Sequence, residues 1–346
     1  MPPACAGTKR SAPNSACVRL RFIHTFSGLR MREAKHAVTL GNSLHKAADL
    51  IRRGELVAFP TETVYGLGAN ALDPAAVEKI YAAKGRPPES PLIVHVDSIE
   101  MARGLVRNWP EKAELLARQF WPGPLTLVLP KDARVPDRLT AGLDTVGIRM
   151  PANEIALTLI REAGVPLAAP SANRFTELSP TTAEHVRESL GDRVGMILDG
   201  GSAKVGIEST VLSLAGRDAI LLRPGMITQA EIEAVIGPVL SAPKTVEAAH
   251  ASPGMHRKHY SPRTRMVLVD NGQLPSGRGV YLWIRRHANA ARCIPMPDDP
   301  RAYGAALYET LHQADHEGWD WIAVERPPQD RAWAAILDRL ERAAAE

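Results

Sequence analysis

A chain of 346 residues is too long for one ordinary hydrophobic core and about right for two domains. With 45% hydrophobic and 23% charged residues it has the composition of a soluble globular protein, and no apolar run approaches the ~20 residues that a membrane span needs. The net charge of +4 favours anionic partners such as nucleotides or RNA without singling one out. Cys5, Cys17 and Cys293 are few, odd in number and far apart. That argues against a disulfide scaffold or a zinc site and fits a cytoplasmic location.

No Asp or Glu precedes Glu33, whereas Lys9, Arg10, Arg19, Arg21, Arg30 and Arg32 do. An Arg-rich, acid-free start has the composition of an organelle transit peptide. The preferred reading is a disordered basic extension, residues 1–36 lying ahead of the folded domain, with a truer start at Met31.

Beyond it, helix and strand alternate. Residues 44–53 form an amphipathic pattern stopped by Gly54, followed by the short apolar strand LVAF. Asp73-Pro74 reads as an N-cap and a first-turn proline opening the helix AAVEKIYAAK. LIVHV (92–96) is a strand, 110–120 a helix, and LTLVL (125–129) and VGIRM (146–150) are strands. NEIALTLIREAG (153–164) is a helix closed by glycine and followed by the short apolar VPLAA. Thr181 with Glu184, and Thr228 with Glu231, have capping-box spacing. MIL (196–198), STVLSL (209–214) and AILLR (219–223) complete the strands. The alternation predicts an α/β domain over residues 37–237 around one twisted, mixed sheet, since several connections are short. Residues 238–263 are rich in Pro, Ala, Ser and His, with little periodicity, and read as a linker. Residues 264–346 then give strands at 265–269, 280–284 and 321–325, a helix at 301–318 and a last helix from Asp330, a small separate βα domain.

Chemistry gathers at loops and strand ends. Lys84-Gly85-Arg86 closes a helix, where a cation suits the helix dipole anyway. Arg149 and Arg223 each end an apolar run and stand next to or near a proline (RMP, RPG), so they belong at the lip of a cleft or beside a buried acid. Together they suggest a positive pocket for phosphates or carboxylates. Thr61, Thr63, Ser90, Thr145, Ser171-Ala172-Asn173, Ser179 and Ser209-Thr210 sit on turns, where hydroxyls commonly cap the backbone. Repeated at successive strand ends, they resemble the rim of an α/β site. Glu208 could position a metal or fix an arginine, and His95 lies in an apolar strand, as a core histidine or a substrate contact. There is no GxxxxGK[ST] loop, no GxGxxG after the first strand, no HExxH and no GxSxG. The commonest ATPase, dehydrogenase, zinc protease and hydrolase classes therefore lose weight.

In order and spacing, FPTETVYGLGANA, KGRPPESPLIVHV, FWPGPLTLVLP, TVGIRMP, APSAN, SPTTAEHV, DGG, GIEST and LLRPG closely resemble the YrdC-type threonylcarbamoyl-AMP synthases. The linker PGMHRKHYSP and the extra βα domain resemble the two-domain form. The likeness is strong over residues 38–262 and looser beyond. It implies a YrdC-like open α/β fold with a large positive cavity, plus a small Rossmann-like C-terminal βα domain. It also implies a nucleotidyltransferase that turns L-threonine, bicarbonate and ATP, with Mg²⁺, into threonylcarbamoyl-adenylate and pyrophosphate. A partner transferase then modifies the adenosine beside the anticodon of tRNA, and weak tRNA binding is compatible with this.

By the same resemblance, Lys84, Arg86, Ser171 and Asn173 match a KxR and SxN signature, expected at the ATP phosphates and the reacting carbamate. Arg149 would clamp the threonine carboxylate, with Thr61 or Thr63, His95 and Ser209 lining the amino-acid pocket. Ser90, Thr145, Ser179 and Arg223 would hold the nucleotide, and Tyr260 would fold the linker back as a lid. The threonines and glycines of FPTETVYGLG would make a polar floor with room for a small hydroxy-amino acid. Two rivals share the fold. One is a non-catalytic module binding double-stranded RNA or tRNA. The other is a carbamoyl-transfer enzyme of the hydrogenase-maturation type, whose acylphosphatase-like and zinc-finger regions this chain lacks.

Overall fold

The computed structural model of the protein describes residues 41–242, 259–270 and 272–345. The basic segment over 1–36 and most of the expected linker, residues 243–258, lie outside the described residues. From Ser43 onward the described residues form one compact unit.

Residues 41–52 are helical (α1). Strand β1 (Val57–Phe59) then pairs antiparallel with β2 (Gly66–Asn70). The sequence pattern predicts no strand at GLGAN, because glycine disfavours one. Packing explains it: the Phe59 ring lies across β2, and a Cβ on Gly68 would fall 2.7 Å from Phe59 Cε1. Gly68 therefore makes room for Phe59 rather than for a ligand. Helix α2 (Pro74–Lys84) begins as expected, with Asp73 accepting from Ala75 N at 2.9 Å, and ends at Gly85 in the left-handed conformation.

The chain continues through β3 (Ile93–His95), α3 (Ile99–Arg103), α4 (Glu111–Phe120), β4 (Leu125–Pro130), α5 (Asp137–Thr140), β5 (Thr145–Arg149), α6 (Glu154–Ala163) and β6 (Leu167–Ala168). Next come α7 (Ala183–Leu190), β7 (Met196–Ile197), β8 (Thr210–Ser213), β9 (Ile220–Arg223), α8 (Gln229–Ile236) and β10 (Leu240–Ser241). Helix α7 starts one residue later than the Thr181/Glu184 spacing predicts. Thr182 is its N-cap, accepting from His185 N, while Thr181 turns its hydroxyl to His185 Nδ1 at 3.3 Å. The Thr228/Glu231 capping box forms as read.

The strands make one mixed sheet in the order β10-β9-β8-β4-β5-β3-β6-β2-β1-β7. Its core runs from Leu67, Ile80 and Leu92 through Leu116, Leu127 and Ile148 to Val186, Leu212 and Ile232. A second, all-parallel sheet follows, from β11 (Met266–Val269), β12 (Gly279–Trp283), β13 (Arg292–Pro295) and β14 (Trp321–Glu325), in the order β11-β14-β12-β13. Helix α9 (Pro300–His316) precedes β14, and α10 (Ala334–Ala343) closes the described chain. Strand β13, absent from the sequence reading, is half-exposed and short, so it carries no hydrophobic run to betray it.

The second sheet does not stand apart. Val64, Leu178, Ile207 and Met226 share one buried cluster with Tyr303, Leu307, Tyr308, Leu311, Ile336 and Leu340. Gly206, at φ 78°, presses against α9, so that a Cβ there would lie 2.3 Å from Gly304 O. His185 on α7 and His312 on α9 stack with ring centres 3.7 Å apart. Glu309 flanks His185 at 3.7 Å, and His316 pairs with Glu188 at 3.1 Å.

Two outcomes follow from this contact. Gly206→Ala combines a backbone conformation hostile to a side chain with a clash against main chain, and should destabilise the fold by roughly 3 kcal/mol or more. Denaturant unfolding measures it, and a loss under about 1 kcal/mol would contradict the packing. Burial, with the His185 charge, lowers His312 to about 4, and burial also lowers His185. Near neutral pH the His312 imidazole is uncharged in the fold, whereas in the unfolded chain it takes a proton below about 6.5. The His312 contribution is therefore complete above about pH 6.5 and is lost as pH falls toward 4, with His185 acting in the same direction. The unfolding midpoint should fall between pH 7.5 and 5, less steeply in His312→Asn; identical slopes would exclude His312 as a cause.

Candidate active site

The sheet brings like ends together. Strands β3 and β5 run parallel with His95 opposite Arg149, while β4 is antiparallel to β5 and parallel to β8. The ends of β3, β5 and β9 thus meet the beginnings of β4 and β8. Between them lies a cleft of about 540 Å³ of empty volume, its open mouth included. Arg86, Arg149 and Arg223 line it with Thr61, Thr63, His95, Ser171, Glu208, Ser209, His259 and Tyr260, against an apolar wall of Val64, Ile93, Ala169 and Pro170.

Arg149 ends β5 and is 4% exposed. Its Nε donates to Gly123 O at 3.3 Å and its Nη1 to Thr63 Oγ1 at 2.9 Å, while Nη2 lies 2.7 Å from Glu62 Oε1. Thr61 gives its hydroxyl hydrogen to Val64 O at 2.6 Å, so Thr63 donates to Thr61 Oγ1 at 2.8 Å. The two hydroxyls form a directed chain that orients the guanidinium. The expected polar floor is there, but its hydroxyls are taken up in orienting Arg149, which donates to the Thr63 oxygen.

Arg223 ends β9 and turns back on β8, with Nε on Ser209 O at 3.1 Å and Nη2 on Ser209 Oγ at 3.2 Å. Ser209 Oγ also meets the buried Thr126 Oγ1 at 2.8 Å. Arg86 follows the left-handed Gly85; its Nη2 donates to Pro91 O at 3.2 Å and its guanidinium lies 5.9 Å from the centre of the Phe175 ring. Burial lowers its pKa to about 10, which leaves it charged at neutral pH. Burial, then the Arg149 charge, lowers His95 to about 3, so this imidazole is neutral. Among the described residues its Nδ1 has no hydrogen-bond partner.

Lys84 stands behind the wall. Its Nζ donates to Ser171 O at 2.6 Å, to Asn173 O, and weakly to Asn173 Oδ1 at 3.4 Å. Burial, with the neighbouring Arg86 charge, pushes its pKa well down, while three acceptors match the three hydrogens of an ammonium. Asn173 in turn donates to Arg174 O and Glu177 O. Lys84 and Asn173 therefore brace the turn that presents Ser171. Ser90 is buried, its carbonyl accepting from Tyr81. Thr145 lines a neighbouring recess with Ile93, Val128, Leu143, Gly147 and Val211.

Tyr260 is 1% exposed with φ 61°, a left-handed conformation uncommon outside glycine. That turn aims its ring at the cleft, so the described end of the linker covers the site. Ser179 is withdrawn from the cleft, donating to Glu208 Oε1 at 2.6 Å. Burial works to raise the Glu208 carboxyl, but the Arg339 and Arg223 charges and Ser179 hold it below the ordinary carboxylate value. Of the two roles the sequence left open for Glu208, the structure shows the arginine: Arg339 Nε lies 2.7 Å from Oε2. Glu62 and Arg339 escape sequence reasoning. The first is hidden between two threonines, and the second sits in a helix whose pattern promises a surface arginine.

Residues 49–225 match the Sua5/YciO/YrdC family profile, described as telomere recombination, and residues 227–345 match the threonylcarbamoyl-AMP synthase C-terminal domain. The threonylcarbamoyl-AMP synthase of Pyrococcus abyssi is 43% identical, over 86% of this chain and 92% of its own length. That of Bacillus subtilis is also 43% identical, with the same coverage, and that of Schizosaccharomyces pombe is 35% identical over 93% and 92%. The solved P. abyssi Sua5 complexed with L-threonine superposes with a TM-score of 0.82 at 42% identity, covering 87% of this chain and 94% of that one. Both sheets, the arginine-lined cleft between strand ends and the sequence likeness along the chain agree. The chain belongs to the two-domain threonylcarbamoyl-AMP synthase family, with a YrdC-type fold.

Proposed function

We propose that the cleft converts L-threonine, bicarbonate and ATP into L-threonylcarbamoyl-adenylate and pyrophosphate. The observation that carries this reading is the set of three buried arginines facing one cleft, in a chain of this family. Threonine would set its carboxylate against Arg149 and its hydroxyl toward His95 Nδ1. A neutral His95 does not repel the substrate ammonium. The amine, once deprotonated, attacks the carbon of bicarbonate, and loss of water leaves a carbamate. A carbamate oxygen then attacks the α-phosphorus, the bond to the bridging oxygen breaks, and pyrophosphate leaves.

Phosphoryl-type chemistry needs charge neutralisation and alignment more than a covalent nucleophile. Arg86, Arg223 and Ser171 are placed for the phosphates, with Lys84 and Asn173 holding Ser171 in position. Tyr260 closes the cleft over a carbamate that water would destroy. Among the described residues no three His, Cys, Asp or Glu gather as a metal cage, and Glu62 and Glu208 are engaged by arginines. Mg²⁺ would arrive on the triphosphate. A site this enclosed does not fit an RNA duplex, so the non-catalytic RNA-binding reading is not favoured. The product would pass in the cytoplasm to a tRNA threonylcarbamoyl transferase. Among the described residues no helix is long and apolar enough to cross a membrane.

Pyrophosphate release from ATP, with threonine and bicarbonate each omitted in turn, tests the reaction: release should need both, and release indifferent to either would sink it. Arg86→Ala should lower kcat/KM for ATP by about 10²-fold or more. Thr63→Val removes an acceptor from Arg149 and should raise the threonine KM by about tenfold, with the ATP KM nearly unchanged. Equal effects on both substrates would dissociate Thr63 from the amino-acid end.

A further inference from the structure

Helix α10 delivers a cation to the back of the cleft. The Arg339 side chain has no solvent exposure. Its Nε donates to Glu208 Oε2 at 2.7 Å, and its Nη1 pairs with Asp338 at 2.5 Å. Glu208 lines the cleft, accepts from Ser179 Oγ at 2.6 Å and takes a third donor, Tyr308 OH of α9, at 3.2 Å. His312 Nε2 meets the Ser179 carbonyl at 3.1 Å, so α9 grips the same loop. The Arg339 guanidinium also lies 5.2 Å from the centre of the Tyr260 ring.

Packing alone does not require this arrangement, because an apolar side chain of similar volume could fill a buried ion-pair site at no greater cost. Charge does. Glu208 is an ionised carboxylate in a cleft built for polyanions, and left alone it would repel a triphosphate. Arg339 cancels that charge from outside the cleft, so a ligand meets Arg86 and Arg223 without an opposing carboxylate.

We infer that Arg339 is a positioning residue for the nucleotide half of the cleft, contributed by the C-terminal part of the chain: it neutralises and fixes Glu208, through it Ser179, and seats the ring of Tyr260. The inference rests on the proposed reading of the cleft as an ATP site. It predicts an asymmetry that a merely structural ion pair would not produce. Threonine, held at the Arg149 end, should be bound almost normally when Arg339 is replaced, whereas ATP should not.

The test compares wild type, Arg339→Met, Arg339→Lys and Tyr308→Phe, each confirmed as folded by circular dichroism. ATP and threonine KM are read in the pyrophosphate assay, and the stabilisation given by each ligand is read in thermal melts. Arg339→Met should raise the ATP KM by about tenfold or more with threonine KM within about twofold. Arg339→Lys, which keeps the charge, should recover much of the loss, and Tyr308→Phe should cost ATP about two- to threefold. Lowering pH should partly restore ATP binding to Arg339→Met, since protonation removes a Glu208 charge that Arg223 and Ser179 alone would then offset. Should Arg339→Met not fold, Arg339→Lys and Tyr308→Phe carry the same ATP-against-threonine comparison. Parallel loss of both substrates, or of neither, in folded variants overturns the role of Arg339. A wild-type protein that ATP does not stabilise overturns the ATP-site reading itself, and the inference with it.

Discussion

Three guanidinium groups are held out of water around a cleft without a matching set of carboxylates. Each carries a desolvation cost of several kcal/mol that a single ion pair would ordinarily offset. The protein offsets it with fixed dipoles. Arg149 leans on Gly123 O and Thr63, Arg223 on both oxygens of Ser209, and Arg86 on Pro91 O and the face of Phe175. Arg149 also meets the Glu62 carboxylate, but at Arg86 and Arg223 carbonyls and a hydroxyl stabilise the cation without cancelling it, so charge remains for a ligand. The carboxylates that do approach are managed one by one, Glu62 by Arg149 and Glu208 by Arg339.

The sheet topology follows from that need. Carbonyls can be aimed at a guanidinium only where strands end, and a mixed order lets both kinds of strand end face one space. Antiparallel pairing of β4 with β5 puts Gly123 O beside Arg149, and the reversal from β8 to β9 returns Arg223 to Ser209. Rigid anchors of this kind cost little reorganisation when charge moves from the α-phosphorus to the leaving pyrophosphate. The supporting residues also explain why hydroxyls accumulate in the site without acting as nucleophiles.

Much of this was legible in the residues. Alternating apolar runs marked the strands, Asp73-Pro74 and Thr228/Glu231 marked helix starts, and arginines at strand ends marked the cleft. What stayed hidden depends on contacts between distant segments. GLGAN forms a strand because Phe59 needs space above it, and α7 starts at Thr182 because His185 occupies Thr181. Lys84 was legible as part of a phosphate signature, yet its three donors point at the 171–173 turn. Residue type announced the charge; only the fold shows what each charge faces.

The same holds for the C-terminal part, whose composition suggested a separate βα unit. Its helices share a core with Val64, Leu178, Ile207 and Met226, and Tyr260 lies in that core while lining the cleft. A lid built from a linker alone would have to order itself against solvent and lose chain entropy on every closure. Seated between α10 and the cleft, the Tyr260 turn has much of that entropy removed in advance, at the cost of one left-handed residue worth about 1–2 kcal/mol. Coverage of the cleft is then a property of the second sheet as much as of the first. That gives a physical reason for one chain to carry both.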